Sequence, residues 1–285
     1  MRRCCATSPP AAPPERSAAV TKRRALGQHF LRDSGIARAI VDLVAPTARD
    51  RVVEIGPGDG ALTGELARRV GQVTALEVDR DLAARLRARA LPGVEVLDAD
   101  ARVWDYGTLA RPAGGRVLVV GNLPYSVGKP ILEALVTART AIDEMALMLQ
   151  REVAERLAAP PGNKVYGSLS VLTQLYCDVR VALRVPPAAF RPPPKVDSAV
   201  VHLRVLPSAR VALDDERRFH TVVRAAFGQR RKMLANALAA GLGLPLDAAR
   251  ATTALAGIDP RRRAETLTID EFAALASRLS RSVFE

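Results

Sequence analysis

Residues Arg116 to Pro130 read RVLVVGNLPYSVGKP, and within them Val117-Leu118-Val119-Val120 is an unbroken aliphatic, mostly β-branched run. Such a run is too short for a helix and too apolar for an exposed sheet edge, so it predicts a strand buried on both faces, as in a parallel sheet. Parallel neighbours need crossover connections, which confines the chain to α/β architectures. At Gly121-Asn122-Leu123-Pro124-Tyr125 the chain leaves this strand at its carboxyl end, where open α/β sheets bind ligands. An Asn-x-Pro-Tyr turn in that place suits methylation of an exocyclic amine. The Asn122 side-chain oxygen and the Leu123 carbonyl can each accept a hydrogen bond from one NH2 group, drawing its nitrogen lone pair out of conjugation with a base, while Tyr125 stacks on the ring. The same five residues also fit an ordinary β-to-α turn with a tyrosine at the core edge. This stretch alone does not separate the two.

The strands upstream break the tie. Arg51-Val52-Val53-Glu54-Ile55 runs into Gly56-Pro57-Gly58-Asp59-Gly60 and then a helix from about Ala61 to Val70. This is a G-x-G-x-G turn and not the G-x-G-x-x-G of dinucleotide folds; Glu54 and Asp59 would repel a pyrophosphate and suit a cationic, phosphate-free ligand. The strand Val73 to Leu76 ends at Glu77, 21 residues after Gly56, where a carboxylate can accept from both ribose hydroxyls. After a helix over Leu82 to Ala90, the strand Val94 to Leu97 leads to Asp98-Ala99-Asp100, and Asp100 is placed to accept from an adenine amino group. Each piece alone is a packing glycine, a helix cap or a solvated charge. Together, Gly56, Gly58 and Gly60 with Glu77, Asp100 and Asn122 are four strand ends that agree on one ligand, S-adenosylmethionine.

The rest of the chain supports a doubly wound, mostly parallel, Rossmann-like sheet followed by a small all-α unit. Asp33 or Ser34 caps a helix with Ile36, Ile40, Leu43 and Val44 on one stripe. Beyond Asn122 we expect a helix near Ile131 to Ala138, a strand over Met145 to Leu149, and helices over Gln150 to Leu157 and Ser168 to Tyr176. Strands over Val179 to Val185 and Ala199 to Val205 pair antiparallel around the stiff loop Phe190 to Ser198, whose prolines 192–194 cannot join a sheet. From about Ser208 the period is helical: Arg217 to Phe227, Lys232 to Ala240, Leu246 to Leu255, and Ile269 to Leu279, the last with a Thr268/Glu271 capping box. The expected division is a proline-rich disordered tail over 1–21, a methyltransferase domain over 22–206 and a helical, RNA-binding domain over 207–285.

Charge bears on the partner. The net charge is +12, and it is concentrated at the ends: residues 1–33 hold 7 basic and 2 acidic side chains, 34–206 hold 22 and 19, and 207–285 hold 13 and 9. Lys22-Arg23-Arg24, Arg230-Arg231-Lys232 and Arg261-Arg262-Arg263 are its clusters, and they suit a polyanion, with nucleic acid ahead of a membrane surface. Cys4, Cys5 and Cys177 lack metal-ligand spacing, and His29, His202 and His220 form no cluster, so neither a metal site nor a disulfide framework is expected. With no signal peptide and no apolar run of membrane-spanning length, a cytoplasmic location is expected.

With these residues collected, the chain resembles the KsgA-type family of small-subunit ribosomal RNA adenine N6,N6-dimethyltransferases from about Lys22 to Leu279. The resemblance is carried by Gly27-Gln28-His29-Phe30-Leu31, Glu54-Ile55-Gly56-Pro57-Gly58, Asn122-Leu123-Pro124-Tyr125, Phe190 through Ser198, and Phe227 through Lys232. It implies cofactor contacts at His29, Leu31, Gly56, Glu77, Asp100 and Asn122, although the family more often has Asn at position 29. It also implies that Tyr125 and Phe190 sandwich the target adenine, in a ribosomal RNA held within a 30S-type assembly intermediate, by a monomeric enzyme. Three other readings stay open: a large-subunit rRNA adenine methyltransferase of the antibiotic-resistance type, a nicotinamide oxidoreductase, which the acidic glycine loop disfavours, and a catalytically silent RNA-binding or transcription-factor relative.

Overall fold

The computed structural model describes residues 29–279. The expectations for Lys22 to Gln28 and for the tail therefore lie outside the described residues. A seven-stranded sheet organises the chain. Its first four strands are β2 (Arg51–Ile55), β3 (Gln72–Glu77), β4 (Val94–Asp98) and β5 (Val117–Asn122). The others are β6 (Glu144–Gln150), β7 (Cys177–Val185) and β9 (Ser198–Val205), and the spatial order is β4-β3-β2-β5-β6-β9-β7. Neighbours from β4 to β6 are parallel, and β9 runs antiparallel between β6 and β7. The expected antiparallel pair is present, but β9 returns into the sheet so that β7 becomes the outer strand.

Val117 to Val120 are fully buried. Alternation sends Val117 and Val119 into the cluster on one face, with Val53 and Leu147, and Leu118 and Val120 into the other, with Val52 and Met148. Each such side chain contributes roughly 1.5–3 kcal/mol of burial. The second face is covered by α1 (Ser34–Val44), whose N-terminus is capped by the Asp33 carboxylate accepting from the Ile36 N–H, and by α2 (Ala61–Ala67). Next to the sheet's β4 edge, α3 (Arg80–Arg87) starts at Asp79, whose side chain accepts from the Asp81 and Leu82 amides. This cap sets the helix two residues earlier than its apolar pattern suggests.

The first face carries α4 (Gly128–Thr137), α5 (Arg151–Leu157) and α6 (Ser168–Gln174). Its cluster continues into the C-terminal helices α7 (Glu216–Gly228), α8 (Leu234–Leu242), α9 (Leu246–Leu255) and α10 (Ile269–Arg278), through Tyr166, Phe219, Phe227 and Phe272. The Thr268/Glu271 capping box is present at α10. Helix α8 begins at Leu234 instead of Lys232, because Met233 has extended backbone, and Arg230 to Lys232 therefore form a turn. A second, two-stranded sheet pairs β1 (Phe30–Leu31) with β8 (Phe190–Arg191), antiparallel. The loop with three prolines thus begins as a strand, and only its later part is irregular.

Candidate active site

Strand order reverses between β2 and β5, and ligands of open α/β sheets bind at that switch point, beyond the carboxyl ends. A cavity opens there, lined among others by His29, Leu31, Glu54, Gly56, Gly58, Glu77, Asp100, Arg102, Asn122, Leu123 and Tyr125. The series of strand ends therefore converges on one place.

Gly58 has a φ of +55°, and a Cβ on it would lie 2.9 Å from the Phe30 ring, so the loop and the β1 arm approach as only glycine allows. Its N–H donates to Glu77 Oε2 at 3.1 Å, and the Asp79 N–H donates to Glu77 Oε1 at 3.0 Å. Glu77 is buried, and desolvation raises its pKa against the pull of these amides. A carboxylate has about four acceptor positions, so each oxygen keeps room for a ribose hydroxyl. The expected effect of Glu77→Ala is about 1.5–3 kcal/mol of cofactor affinity, the loss of charge-assisted hydrogen bonds. Calorimetry finding equal affinity in a folded variant would remove Glu77 from the cofactor site.

Glu54 lies deeper. It is fully buried, its Oε2 has no hydrogen-bond partner, and desolvation, helped by the neighbouring Glu77 charge, pushes its pKa up to about 7. Asp59, by contrast, is paired with Arg32 at 2.9 Å, which weakens its expected part in repelling phosphate. Two buried carboxyl groups facing one cavity, one with an unpartnered oxygen, suit a ligand that brings positive charge and hydroxyls, as S-adenosylmethionine does.

At the β5 turn, Asn122 Nδ2 donates to the His29 carbonyl at 2.9 Å. A carbonyl can only accept, so this bond fixes which end of the amide is nitrogen and leaves the oxygen as the end Asn122 offers a ligand. His29 Nδ1 donates in turn to the Pro192 carbonyl at 2.8 Å, and its ring lies 5.5 Å from that of Tyr125. The half-buried Tyr125 hydroxyl meets Ser198 Oγ at 2.6 Å. His29 thus joins the β1 arm, the proline loop and the tyrosine. Leu123 is buried, so only its backbone is available to a substrate, and its N–H is already held by the Met148 carbonyl.

Phe190 departs from expectation. It is 4% exposed, packs with Leu31, Val185, Ala189 and Val200, and is not on the cavity wall. The reason is register: Phe190 sits directly opposite Leu31 in the β1–β8 pair, so both side chains turn to the same, inward face. In this arrangement Phe190 backs the arm and does not face Tyr125 across the cavity.

The basic turn also differs in part. Arg230 donates to the Lys164 and Tyr166 carbonyls at 2.6 and 3.0 Å, which makes it a brace for the 164–166 loop. Arg231 and Lys232 are exposed beside it. Replacing only these two with Ala is expected to weaken RNA binding and to flatten the plot of log K against log salt by roughly 0.7–0.9 unit for each phosphate no longer neutralised. An unchanged slope would make them a solvated helix end.

Sequence reasoning did not single out Ser198 or Arg102. Ser198 reaches Tyr125 only through tertiary structure, 73 residues away. Arg102 was legible as Asp-x-Arg in a turn: its side chain forks the Asp100 carboxylate, which lowers the Asp100 pKa.

Comparison with known proteins agrees with this geometry. The ribosomal RNA adenine dimethylase family model matches residues 19–281. The chain belongs to the ribosomal RNA adenine dimethylase family. Among its relatives, the ribosomal RNA small subunit methyltransferase A of Xylella fastidiosa (strain 9a5c) is 44% identical over 257 residues, 90% of this chain and 95% of that protein. The protein of the same name from Xanthomonas axonopodis pv. citri (strain 306) is 46% identical over 265 residues, 92% and 97% of the two chains. A dimethyladenosine transferase from Plasmodium falciparum shares the fold, with a TM-score of 0.74 at 24% identity over 87% of this chain and 96% of that one. The 23S rRNA methyltransferase ErmE gives a TM-score of 0.66 at 27% identity, covering 88% and 99%. This dimethylase is an S-adenosylmethionine-dependent enzyme that dimethylates adenine in small-subunit ribosomal RNA. The oxidoreductase, large-subunit and silent readings fall with that assignment. Among the described residues of the dimethylase, no helix is long and apolar enough to cross a membrane.

Proposed function

We propose that this dimethylase modifies N6 of two adjacent adenines near the 3′ end of 16S-type rRNA, within a 30S-type assembly intermediate, as a cytoplasmic monomer. The observation that carries the site assignment is the Asn122 amide, anchored by its nitrogen to the His29 carbonyl so that its oxygen is the end presented at the cavity. When bound, S-adenosylmethionine supplies an electrophilic methyl group. Asn122 Oδ1 and the Leu123 carbonyl hold the N6 hydrogens of the target adenine, and Tyr125, steadied by Ser198, stacks on its ring. His29, Leu31, Gly56 and Gly58 shape the cofactor's side of the cavity, Glu77 takes the ribose and Asp100 the cofactor's adenine. Arg231 and Lys232 grip RNA, and Arg230 supports them by bracing the loop.

The test is mass spectrometry of small-subunit rRNA from cells lacking the protein, complemented by wild type or Asn122→Ala. Dimethyladenine should disappear from two neighbouring positions in the null strain and return only with wild type. Loss at scattered positions, or in the large subunit, would overturn the substrate assignment.

A further inference from the structure

At the cavity's edge by β4, Asp100, assigned above to the cofactor's adenine, is paired with Arg102, which the proposed chemistry does not use. Asp100 Oδ1 accepts from the Arg102 backbone N–H at 2.9 Å, Arg102 Nε lies 3.0 Å from both oxygens, and an Arg102 terminal nitrogen lies 2.5 Å from Oδ2. These are three donors, the Nε–H being shared between the two oxygens, and they engage both oxygens and most of the roughly four acceptor positions of the carboxylate. A ligand amine that reaches Asp100 therefore competes with the Arg102 guanidinium for the same two oxygens. Both residues line the cavity, and the guanidinium is held on the Asp100 carboxylate.

Asp100 does not need that side chain to keep its place. Its carbonyl accepts from the Val103 and Trp104 amides at 3.1 and 3.0 Å, the buried Tyr106 hydroxyl donates to the Ala101 carbonyl at 2.7 Å, and the Arg102 N–H holds Oδ1 through backbone alone. The side-chain pair is also easy to open, with side chains 49% and 29% exposed.

We infer that Arg102 is an internal competitor for the cofactor's adenine subsite, a side chain that occupies Asp100 until an incoming purine amine replaces it, and so sets the cofactor affinity of this enzyme. The inference rests on the assignment of Asp100 to the adenine amine. It places a cost on binding at the adenine end alone, so the penalty applies to adenosine as well as to the whole cofactor. Because the displaced interaction is a screened surface pair, the penalty shrinks as salt rises.

Calorimetric titration of Arg102→Ala with S-adenosylmethionine and with adenosine tests it, using the full chain. Both ligands are expected to bind about two- to fivefold more tightly than to wild type, the range of an exposed ion pair. The gain should be equal for the two ligands, smaller at high salt, and absent when Arg102→Ala is introduced into Asp100→Asn. Equal or weaker binding by a folded Arg102→Ala, or a gain that persists without the Asp100 carboxylate, would overturn the inference and leave the site intact. Wild-type protein that binds S-adenosylmethionine with an affinity indifferent to Asp100→Asn would instead overturn the Asp100 assignment beneath it.

Discussion

Asn122→Ala is expected to lower the rate of both methyl transfers by about 10²–10³-fold while RNA affinity stays nearly unchanged. An adenine amine is a poor nucleophile because its lone pair is conjugated with the ring. Acceptors placed at its N–H groups favour the pyramidal nitrogen that develops in the transition state and do little for the ground state, so their loss falls on rate. The magnitude follows oxyanion-hole donors by analogy, with donor and acceptor reversed. No strong general base is needed, since the proton becomes acidic only as the new bond forms. After one transfer a single N–H remains, which the same acceptors can hold for the second. The structure adds a complication: Asn122 also anchors the His29 carbonyl, so its removal loosens the arm that touches the cofactor's side of the cavity. Rates must therefore be compared at cofactor saturation, with affinity measured separately. A folded, saturated Asn122→Ala enzyme that dimethylates within threefold of wild type would end this mechanism.

How far the sequence carried depended on whether a feature is local. The aliphatic run at Val117 to Val120, the glycine turn after β2 and the acids closing β3 and β4 are each written in a few consecutive residues, and all lie where expected. The Asn122 turn is local too, so its placement at the switch point followed from strand order. Register between distant segments was not legible. Phe190 turns inward because it pairs with Leu31, and Tyr125 is steadied by Ser198 from the far side of the proline loop. Arg230 read as one of three equivalent cations, yet backbone carbonyls of the 164–166 loop claim it. The insertion of β9 between β6 and β7 had a local signal that the hairpin reading passed over: Ala199-Val200-Val201 is an unbroken apolar run buried on both faces, whereas β7 is largely exposed, as an outer strand is.

Glu54→Gln is expected to stabilise the ligand-free protein by on the order of 3 kcal/mol at pH 8 and by almost nothing near pH 4. The Glu54 carboxyl titrates at about 7 in the fold against an ordinary value of 4.5, because burial disfavours its charge. Its raised pKa means the folded state binds the proton more tightly than the unfolded chain. The stabilisation this provides is complete below 4.5 and is lost as pH rises to about 7, at roughly 1.36 kcal/mol per unit. Above 7 wild type carries a buried charge that its neighbours offset only in part, with Oε2 lacking a partner. Hydrogen bonding from Thr63 on α2 opposes the shift most, Glu77 on β3 adds repulsion, and Arg89 after α3 offsets part of it. Glutamine keeps the shape without the charge, and its amide can donate to the buried Thr63 Oγ1. Denaturant midpoints of the two proteins should coincide at pH 4 and separate steadily above 5; parallel curves would mean that Glu54 is not an isolated buried acid. A side chain that destabilises the empty fold at neutral pH exchanges stability for a part in the filled cavity. A cation beside Glu54 offsets the charge that the empty cavity cannot, so the same substitution should weaken S-adenosylmethionine binding at pH 8 more than at pH 6. Stability and affinity then move in opposite directions on one side chain, an outcome that a purely structural Glu54 would not produce.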